Sequence, residues 1–321
     1  MTKPFRNVAL RRTRRLVAAG LALAAACAAP AHAQFNHGPF VLEVHALNGG
    51  VYWLTGGAAN TGFIVGDQGV VVIDAQMSAD NARAQLATIA KVTPKPVNTL
   101  VITHSDPDHI GGAPAYPADT VIFAHENARS QIQAAAADPN GPPVSRATYR
   151  ALLNDLPGHT VGATETVTLN GVRVVLGHVA PAHSSADLFV YLPDQKVVFA
   201  GDIITTNFGQ YPIIHYDTGG SSLGWIAAVK AMLALDADTY VPGHGPIETR
   251  AMLQVRLRDA EQRREQIKAL VNQNKSLAEV KATLPEEPTK LPFLSFVEST
   301  YMELTRGYPP AAAPWTNLRS K

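Results

Sequence analysis

Cysteine is almost absent from this chain of 321 residues, since Cys27 is the only one. It lies in an N-terminal segment with the features of a removable signal. The mature protein would therefore have neither a disulfide nor a thiolate ligand. This absence excludes a disulfide-stabilised scaffold, and it requires any metal ion to be held by histidine and carboxylate side chains.

Acidic residues are absent from the first 33 positions, which carry six Lys and Arg side chains. An apolar run over residues 16–29 follows the basic residues and leads to an Ala-His-Ala triplet at 31–33. A basic start, a short apolar run and a small-x-small site are typical of secretory signal peptides. We therefore predict a signal peptide at 1–33, cleavage before Gln34, and a periplasmic or secreted mature protein.

The same segment bears on membrane attachment and on the route of export. Its apolar run is too short for a comfortable membrane span, so we expect no stable span in the mature chain. The sequence TRRLV at 13–17 resembles a twin-arginine signal, which leaves both Sec and Tat export open. The alanines at 24–26 lack the large residue that usually precedes a lipoprotein cysteine, and this disfavours a lipid anchor at Cys27.

A basic patch is also missing from the mature chain. Removing the six basic residues of the signal leaves 21 Lys and Arg against 26 Asp and Glu, a net charge of about −5. No concentration of positive charge remains to bind nucleic acid. Because 46% of the residues are apolar and 17% charged, the composition is that of an ordinary globular protein. We expect its ligand to be a small-molecule substrate.

Hydrophobic patterning divides the mature chain into two strand-rich halves, each followed by helices. Short apolar runs separated by turn residues predict strands, and spacing of three to four residues predicts helices. Strands are expected within 41–74, at 98–103 and 121–124, and between 167 and 200; helices are expected at 78–91 (N-cap Ser78), 126–137, 223–235, 249–272 and 277–284. This order predicts an α/β protein with two sheets packed face to face and helices outside.

No linker interrupts the pattern, so we predict one domain over 34–321, with a C-terminal helical extension from about residue 249. Two proline-rich segments are expected to be irregular. They are residues 138–157, which could form a lid, and the tail after residue 284.

The stretch THSDPDHIGG at 103–112 places two histidines and two aspartates within six positions. Alone, such a stretch could also be a solvated acidic turn. Further histidines and acids, however, follow later apolar strands, each close to a glycine or turn residue. These are His183, Asp202 and His244. Rigid strands that deliver short loops to one place hold a site with little slack, so these residues predict one metal site.

The donor set suits divalent ions. Imidazole and carboxylate groups bind hard and borderline ions, and seven such groups suffice for two ions. Packing Asp106, Asp108 and Asp202 together without a cation would be costly, because like charges repel at short range. The residue types therefore favour a binuclear site over an acidic turn.

The ordered motifs resemble those of the metallo-β-lactamase superfamily of hydrolases. The resemblance covers nearly all of residues 41–250 and includes an early strand that ends in aspartate, at 70–74, and the final PGHG motif, at 242–245. It implies a four-layer αββα sandwich with a binuclear site at the edge between the sheets. It also implies these roles: His104, Asp106 and His183 at the first metal position, Asp108, His109 and His244 at the second, Asp202 bridging both, and Asp74 supporting the ligand loop.

Asp106 departs from this family's usual motif, which has histidine at that position. With two divalent ions, three carboxylates and a bridging hydroxide, the site has a net charge near zero, one unit below the common pattern. A less positive site should lower the pKa of bound water less. Zinc remains the favoured metal, and harder ions such as iron or manganese become credible beside it.

The mechanism implied by the resemblance is hydrolysis by a metal-bound hydroxide, with Asp108 orienting the nucleophile as a catalytic group. The expected substrate is a small ester, thioester, lactone or amide, and a β-lactam is included. Two alternatives stay open: an iron-dependent oxidoreductase of the same fold, and a non-catalytic periplasmic metal-binding protein.

Three further side chains are candidates for the substrate pocket. His125 follows a strand near the predicted site, and Tyr211 and His215 lie in the segment 208–222 after the bridging aspartate. The alternatives are a structural histidine at a helix start and a surface loop with aromatic residues packed beneath it. The remaining histidines of the predicted mature chain match no ligand motif. They are His37, His45, His159 and His178.

Overall fold

The computed structural model describes Met1 and residues 40–139, 143–286 and 293–308. The chain divides into two compact units, Met1–Gln34 and Phe35–Lys321. The predicted signal peptide lies outside the described residues, Met1 excepted, and its removal stays a prediction. The fold and the site both belong to the second unit.

The first sheet has seven strands in sequence order. They are β1 (Glu43–Ala46), β2 (Val51–Thr55), β3 (Thr61–Val65), β4 (Val70–Ile73), β5 (Val97–Val101), β6 (Val121–His125) and β7 (His159–Val161). The strands from β1 to β4 pair antiparallel, and those from β4 to β7 pair parallel. Parallel pairing requires crossover connections, and helices supply them after β4, β5 and β6.

The second sheet has six strands in the order β13-β12-β11-β10-β9-β8. They are β8 (Glu165–Leu169), β9 (Val172–Gly177), β10 (Phe189–Leu192), β11 (Val197–Phe199), β12 (Thr239–Val241) and β13 (Glu248–Thr249). Only β11 and β12 pair in parallel, and the long connection between them carries a helix. The other neighbours are antiparallel, as expected for short hairpin connections.

Helices connect the strands and, apart from the short one at Pro107–Ile110, pack on the outer faces of the sheets. They are α1 (Ala79–Val92), α2 (Pro107–Ile110), α3 (Glu126–Ala137), α4 (Pro143–Ala151), α5 (Ser222–Ala234), α6 (Arg250–Asn272), α7 (Leu277–Thr283) and α8 (Phe296–Arg306). The predicted cap of α1 is confirmed, because the Ser78 side chain accepts a hydrogen bond from the N–H of Asn81.

Strand β4 shows how the layers form. Its four residues are all buried, as a strand with both faces covered requires. Val71 and Ile73 join the core between the two sheets, whereas Val70 and Val72 join the core beneath α1 and α3. A third core packs the outer face of the second sheet against α5, α6 and α8. The predicted αββα sandwich is therefore confirmed.

Two expectations about irregular segments are wrong for part of each segment; residues 140–142, 287–292 and 309–321 lie outside the described residues, and a lid at 138–157 stays a prediction. Residues 143–151, inside the segment 138–157, form α4, and residues 152–154 continue it as a 3-10 turn. Pro143 is the first residue of α4, where the missing N–H and fixed φ of proline favour a helix start rather than breaking one. Residues 296–306 of the proline-rich tail form α8, which Ser295 and Glu298 cap with reciprocal hydrogen bonds.

Within the described ranges, no helix combines the length and the apolar character needed to cross a bilayer.

Candidate metal centre

The predicted ligands are carried by loops at strand ends. β5 runs into the loop 103–109, and β11 into the turn that holds Asp202. His183 lies on the connection between β9 and β10, and His244 directly follows β12. The structure brings all seven predicted side chains together at the edge between the sheets, with Asp202 at the centre.

Asp108, His109 and His244 form the second half of the cluster. Oδ2 of Asp108 lies 3.1 Å from Nε2 of His244 and 3.9 Å from Nε2 of His109. The three ligand atoms all lie within 4.8 Å of one another. These separations suit three groups directed at a common ion.

Asp106 forms the first half with His183, His104 and a residue that was predicted only for the pocket, His215. Oδ2 of Asp106 lies 3.3 Å from Nε2 of His183, 3.6 Å from Nε2 of His104, and 3.1 Å from Nδ1 of His215. Two groups that could hold an ion overlap here at His183. One contains His104 and Asp202, and the other contains Asp106 and His215.

Asp202 joins the two halves. Its Oδ1 lies 3.3 Å from Nε2 of His109, and its Oδ2 lies 3.5 Å from Nε2 of His244. The same Oδ2 lies 3.9 Å from Nε2 of His183 and 4.0 Å from Nε2 of His104. One carboxylate therefore faces both halves of the cluster.

Hydrogen bonds behind the ligands fix the imidazole orientations. Asp74, which has a left-handed φ of 62°, accepts from Nδ1 of His109 at 2.8 Å. The same carboxylate accepts from the N–H and the hydroxyl of Thr103, both at 2.8 Å, and the Thr103 oxygen lies 3.1 Å from Nδ1 of His104. Nδ1 of His183 bonds the carbonyl of Ile213 at 3.0 Å. In each case the Nδ1 contact leaves Nε2 free to face the cluster.

Glycine and asparagine hold the loops close enough to meet. Gly243 donates to the carbonyl of Gly201 at 2.8 Å, and a Cβ on Gly243 would collide with Oδ1 of Asp202. The side-chain amide of Asn60 donates to the carbonyls of Pro242 and Gly245, at 3.0 and 2.8 Å. The glycine before His244 therefore lets the bridging carboxylate approach.

Without an ion, the cluster is a set of paired charges. Burial alone would lower the pKa of His183, but Asp106 and Asp202 raise it to about 10. Burial likewise opposes the charge on His244, yet Asp202 and Asp108 raise its pKa to about 9. Burial would raise the pKa of Asp202, but the imidazoles of His244 and His109 hold it well below its usual range. A metal ion would take the place of these imidazole protons.

The residues present fit a metal. Among the described residues, several cluster atoms are buried without a hydrogen bond: Nε2 of His104, Nε2 of His109, Oδ1 of Asp202, and both ring nitrogens of His215. Buried polar atoms are rarely left unpaired, so their convergence calls for a ligand that they share. The donor set of imidazole and carboxylate matches zinc, manganese or iron.

The cluster opens to solvent at its aspartates. The side chains of Asp106 and Asp108 are 16% exposed, whereas that of His104 is 1% exposed. A substrate would therefore approach along the loop 106–108. Tyr149 on α4 supports this loop, since its hydroxyl donates to the carbonyl of Ser105 at 3.0 Å.

The other two pocket candidates lie outside the ligand groups. His125 caps α3 by accepting from the N–H of Asn127 at 3.2 Å, and its ring stacks on His178. Tyr211 stacks on Phe296, and its hydroxyl accepts from Arg263 at 2.8 Å. Their role in a pocket stays a prediction.

Sequence reasoning did not assign three residues that shape the cluster: His215 as a partner of Asp106, Thr103 behind His104, and Asn60 on the PGHG loop. The position of Thr103 directly before the first ligand was a usable signal. His215 and Asn60 reach the site only through tertiary packing, so spacing along the chain could not reveal them.

Comparison with known proteins places the fold and the cluster in a family. The model of the metallo-beta-lactamase superfamily matches residues 54–244, which is more than half of the chain. The chain therefore belongs to the metallo-β-lactamase superfamily. The match includes every predicted ligand position, from His104 to His244.

Two curated proteins are similar in sequence. The 2,4-dinitroanisole O-demethylase subunit alpha of Nocardioides sp. (strain JS1661) is 28% identical over 207 residues, covering 63% of this chain and 57% of that protein. The linear primary-alkylsulfatase of Pseudomonas sp. (strain ATCC 19151) is 25% identical over 226 residues, covering 60% of this chain and 42% of that protein. The chain thus spans about half the length of these relatives.

Solved structures share the fold. The stereoselective inverting sec-alkylsulfatase Pisa1 from Pseudomonas sp. has a TM-score of 0.64 at 20% identity, over 84% of this chain and 51% of that chain. The metallo-β-lactamase FIM-1 from Pseudomonas aeruginosa, in its mono-zinc form, has a TM-score of 0.56 at 19% identity, over 70% of this chain and 96% of that chain. Family membership together with these relatives supports hydrolase activity in general.

Proposed function

We propose that the protein is a binuclear metal-dependent hydrolase of a small ester-type substrate. The observation that carries this proposal is the position of Asp202 between two clusters of possible ligands, since its Oδ2 lies 3.9 Å from Nε2 of His183 and 3.5 Å from Nε2 of His244. A solvated acidic turn does not account for four buried histidines around the carboxylate of Asp202. They are His104, His109, His183 and His244.

We assign each residue of the cluster a role in binding metal or in orienting the nucleophile. His104, Asp106 and His183 would hold the first ion, Asp108, His109 and His244 the second, and Asp202 both. When bound, two zinc ions supply Lewis acidity and a nucleophile derived from water at neutral pH. Asp108 is 16% exposed at the mouth of the cluster, where its carboxylate can orient that nucleophile. The buried imidazoles keep bulk water from the reacting atoms, which strengthens electrostatic interactions there.

The family and the relatives support a choice of substrates to test. Carboxylic esters, thioesters, lactones and amides, β-lactams among them, present an electrophilic carbonyl that such a site can attack. The names of the relatives add sulfate esters and an aryl methyl ether, 2,4-dinitroanisole, to the substrates worth testing.

A substrate panel tests the proposal. Protein loaded with zinc should hydrolyse at least one of an aryl acetate, an acyl thioester, a lactone, a β-lactam, an alkyl sulfate and 2,4-dinitroanisole. Metal-free protein should be inactive and should regain turnover when zinc is restored. A fully loaded protein that cleaves none of these substrates would favour a non-catalytic metal-binding role.

A second candidate function, iron-dependent redox chemistry, is favoured by Asp106. Its carboxylate makes the donor set harder than the common one, since three carboxylates would surround the two positions. Metal analysis of protein from its native export route separates the two functions. Zinc indicates hydrolysis, and iron with a visible absorption band indicates redox chemistry.

Export is also proposed, on the basis of the basic and apolar segment at 1–33. Expression in a bacterial host should yield a periplasmic protein whose N-terminus begins at Gln34. Replacement of Arg14 and Arg15 by lysine should block export only if the Tat route is used. An uncleaved chain in the cytoplasm would contradict the proposal.

A further inference from the structure

Asp106 is the position where this chain departs from the family's usual histidine, and its surroundings are those of a ligand. It is the N-cap of α2, with φ −67° and ψ 144°, where an aspartate commonly accepts hydrogen bonds from the first helical N–H groups. Its side chain makes no such bond. Instead, Oδ2 lies within 3.6 Å of nitrogens of His183, His104 and His215.

His215 is a buried imidazole whose ring nitrogens make no hydrogen bond to a described residue, although its Nδ1 lies 3.1 Å from Oδ2 of Asp106. It is 6% exposed, and neither of its ring nitrogens has a hydrogen bond within the described part of the chain. Its ring packs against those of His183 and Phe293, with distances of 4.1 and 4.6 Å between the ring centroids. A native protein rarely leaves both polar atoms of a buried side chain unpaired, so a bound ligand should occupy one of them.

The backbone holds His215 beside the first metal position. The N–H of His215 donates to the carbonyl of His183 at 2.8 Å, and the N–H of Gly220 donates to the carbonyl of His215 at 2.9 Å. A Cβ on Gly220 would collide with the carbonyl oxygen of His183. The same loop supplies the Ile213 carbonyl that orients the His183 ring. One loop therefore orients a predicted ligand and presents a second imidazole next to it.

The distances between the candidate ligand atoms are close to those between ligands of one tetrahedral ion. Ligand atoms about 2.0–2.2 Å from a tetrahedral ion lie about 3.3–3.6 Å from each other. Oδ2 of Asp106 lies 3.1 Å from Nδ1 of His215 and 3.3 Å from Nε2 of His183. Asp106, His183 and His215 together form one of the groups that could hold a metal ion.

We propose, on the basis of the metal-dependent function proposed above, that His215 is a ligand of the first metal position. Through Nδ1 it supplies the imidazole that the motif loses when aspartate stands at position 106. The first position then has three imidazoles, those of His104, His183 and His215, and gains the carboxylate of Asp106. Asp106 thus replaces the histidine that the usual motif has in the loop 103–109, and His215 in the loop 213–220 supplies an imidazole in its place.

Zinc binding to variants of the full-length protein tests this proposal. The matched variants are His215→Ala, His215→Phe, Asp106→His, and the double variant of Asp106→His with His215→Phe. Phenylalanine keeps a ring beside Phe293 but carries no donor atom, so it separates ligation from packing. Zinc affinity is measured by competition with a chromophoric chelator, zinc content by elemental analysis, and coordination by the visible spectrum of the cobalt-substituted protein.

Both His215 variants should lower zinc affinity at one position by more than about 100-fold, beyond the 10- to 100-fold effect of groups that only support ligands. The other position should keep its affinity within a few-fold, and the cobalt spectrum should change. The double variant should recover most of the lost affinity, because histidine at 106 restores the imidazole. His125→Ala, which removes a comparably buried imidazole outside the ligand groups, should bind zinc as the wild type does.

The inference is overturned if a folded His215→Phe protein keeps both ions, wild-type affinity and the wild-type cobalt spectrum. It is also overturned if the double variant binds no better than the single one. These failures differ from failure of the proposed function, in which the wild-type protein itself would bind no zinc or would stay inactive when loaded. Circular dichroism of each variant shows whether the fold is retained.

Discussion

The two halves of the metal centre are supported differently. Behind the second half, a carboxylate accepts the Nδ1 proton of His109, since Asp74 lies 2.8 Å away. Behind the first half, Nδ1 of His183 contacts the backbone carbonyl of Ile213, and Nδ1 of His104 contacts the hydroxyl of Thr103. A carboxylate raises the basicity of the imidazole it supports more than a neutral group does.

This comparison explains where the chain can vary its chemistry. The ligands of the second half match the motif that the resemblance implies. The buried carboxylate of Asp74 fixes the orientation of the His109 ring. The first half carries the unusual carboxylate of Asp106 and, with His215, a ligand candidate from a different loop. We therefore expect the second position to bind its ion more tightly, and the first position to determine which metal the protein prefers.

The largest effect is expected when the shared carboxylate is removed. Asp202→Ala should weaken zinc at both positions by more than about 100-fold and abolish turnover, because loss of a ligand exceeds loss of a supporting group. Elemental analysis after dialysis measures the bound metal. Asp217→Asn, which alters a nearby carboxyl outside the ligand groups, serves as the control. Loss of only one ion from Asp202→Ala would show that the carboxylate does not bridge.

A smaller and one-sided effect is expected from Asp74→Asn. Asparagine keeps the size but removes the charge behind His109, so zinc at the second position should weaken by roughly 10- to 100-fold. The first position should change by no more than a few-fold. Stepwise zinc titration resolves the two positions. An equal loss of zinc affinity at both positions would contradict the claim that Asp74 supports only the second half.

Thr103→Val should have a weaker effect, directed mainly at the first position. The hydroxyl of Thr103 lies 3.1 Å from Nδ1 of His104 and donates to Oδ2 of Asp74 at 2.8 Å. Valine removes this hydroxyl and keeps the shape of the side chain. Zinc affinity should fall by about 10-fold, the lower end for supporting groups. Thr103→Ser keeps the hydroxyl and should bind nearly as the wild type does. Equal binding by the valine variant would contradict this role.

The smallest effect is on stability, and it depends on pH. In the metal-free protein the pKa values of His183 and His244 are raised to about 10 and about 9. Their protonated forms therefore stabilise the fold fully below about pH 6.5, the unfolded value. This stability is lost as pH rises through the folded values.

Thermal unfolding checks this direction. The Tm of the metal-free protein should fall by several degrees between pH 6.5 and 9.5, whereas that of the zinc-loaded protein should fall less, because its ligand nitrogens carry no proton to lose. The gain in Tm on adding zinc should thus widen with pH. A gain that narrows would contradict the assignment of these imidazoles as protonated in the metal-free state.

Much of this molecule could be predicted from its sequence because ligands and strands follow each other closely. The apolar run Val70–Ile73, the cap at Ser78 and the H-x-D-x-D-H stretch are all local signals, and the family model confirms the fold they predict. Local signals failed where proline was taken as a breaker, since Pro143 begins α4. They also could not reveal that His215 faces Asp106, because that contact joins residues more than one hundred positions apart.

Zinc titration of the metal-free wild-type protein, with bound metal and hydrolysis followed in parallel, tests the account most directly. Two zinc ions per chain are predicted to bind, the second position filling first, and turnover of a substrate from the panel should rise only as the ions bind. Turnover by metal-free protein, or failure to retain zinc after dialysis, would contradict a shared binuclear centre built around Asp202.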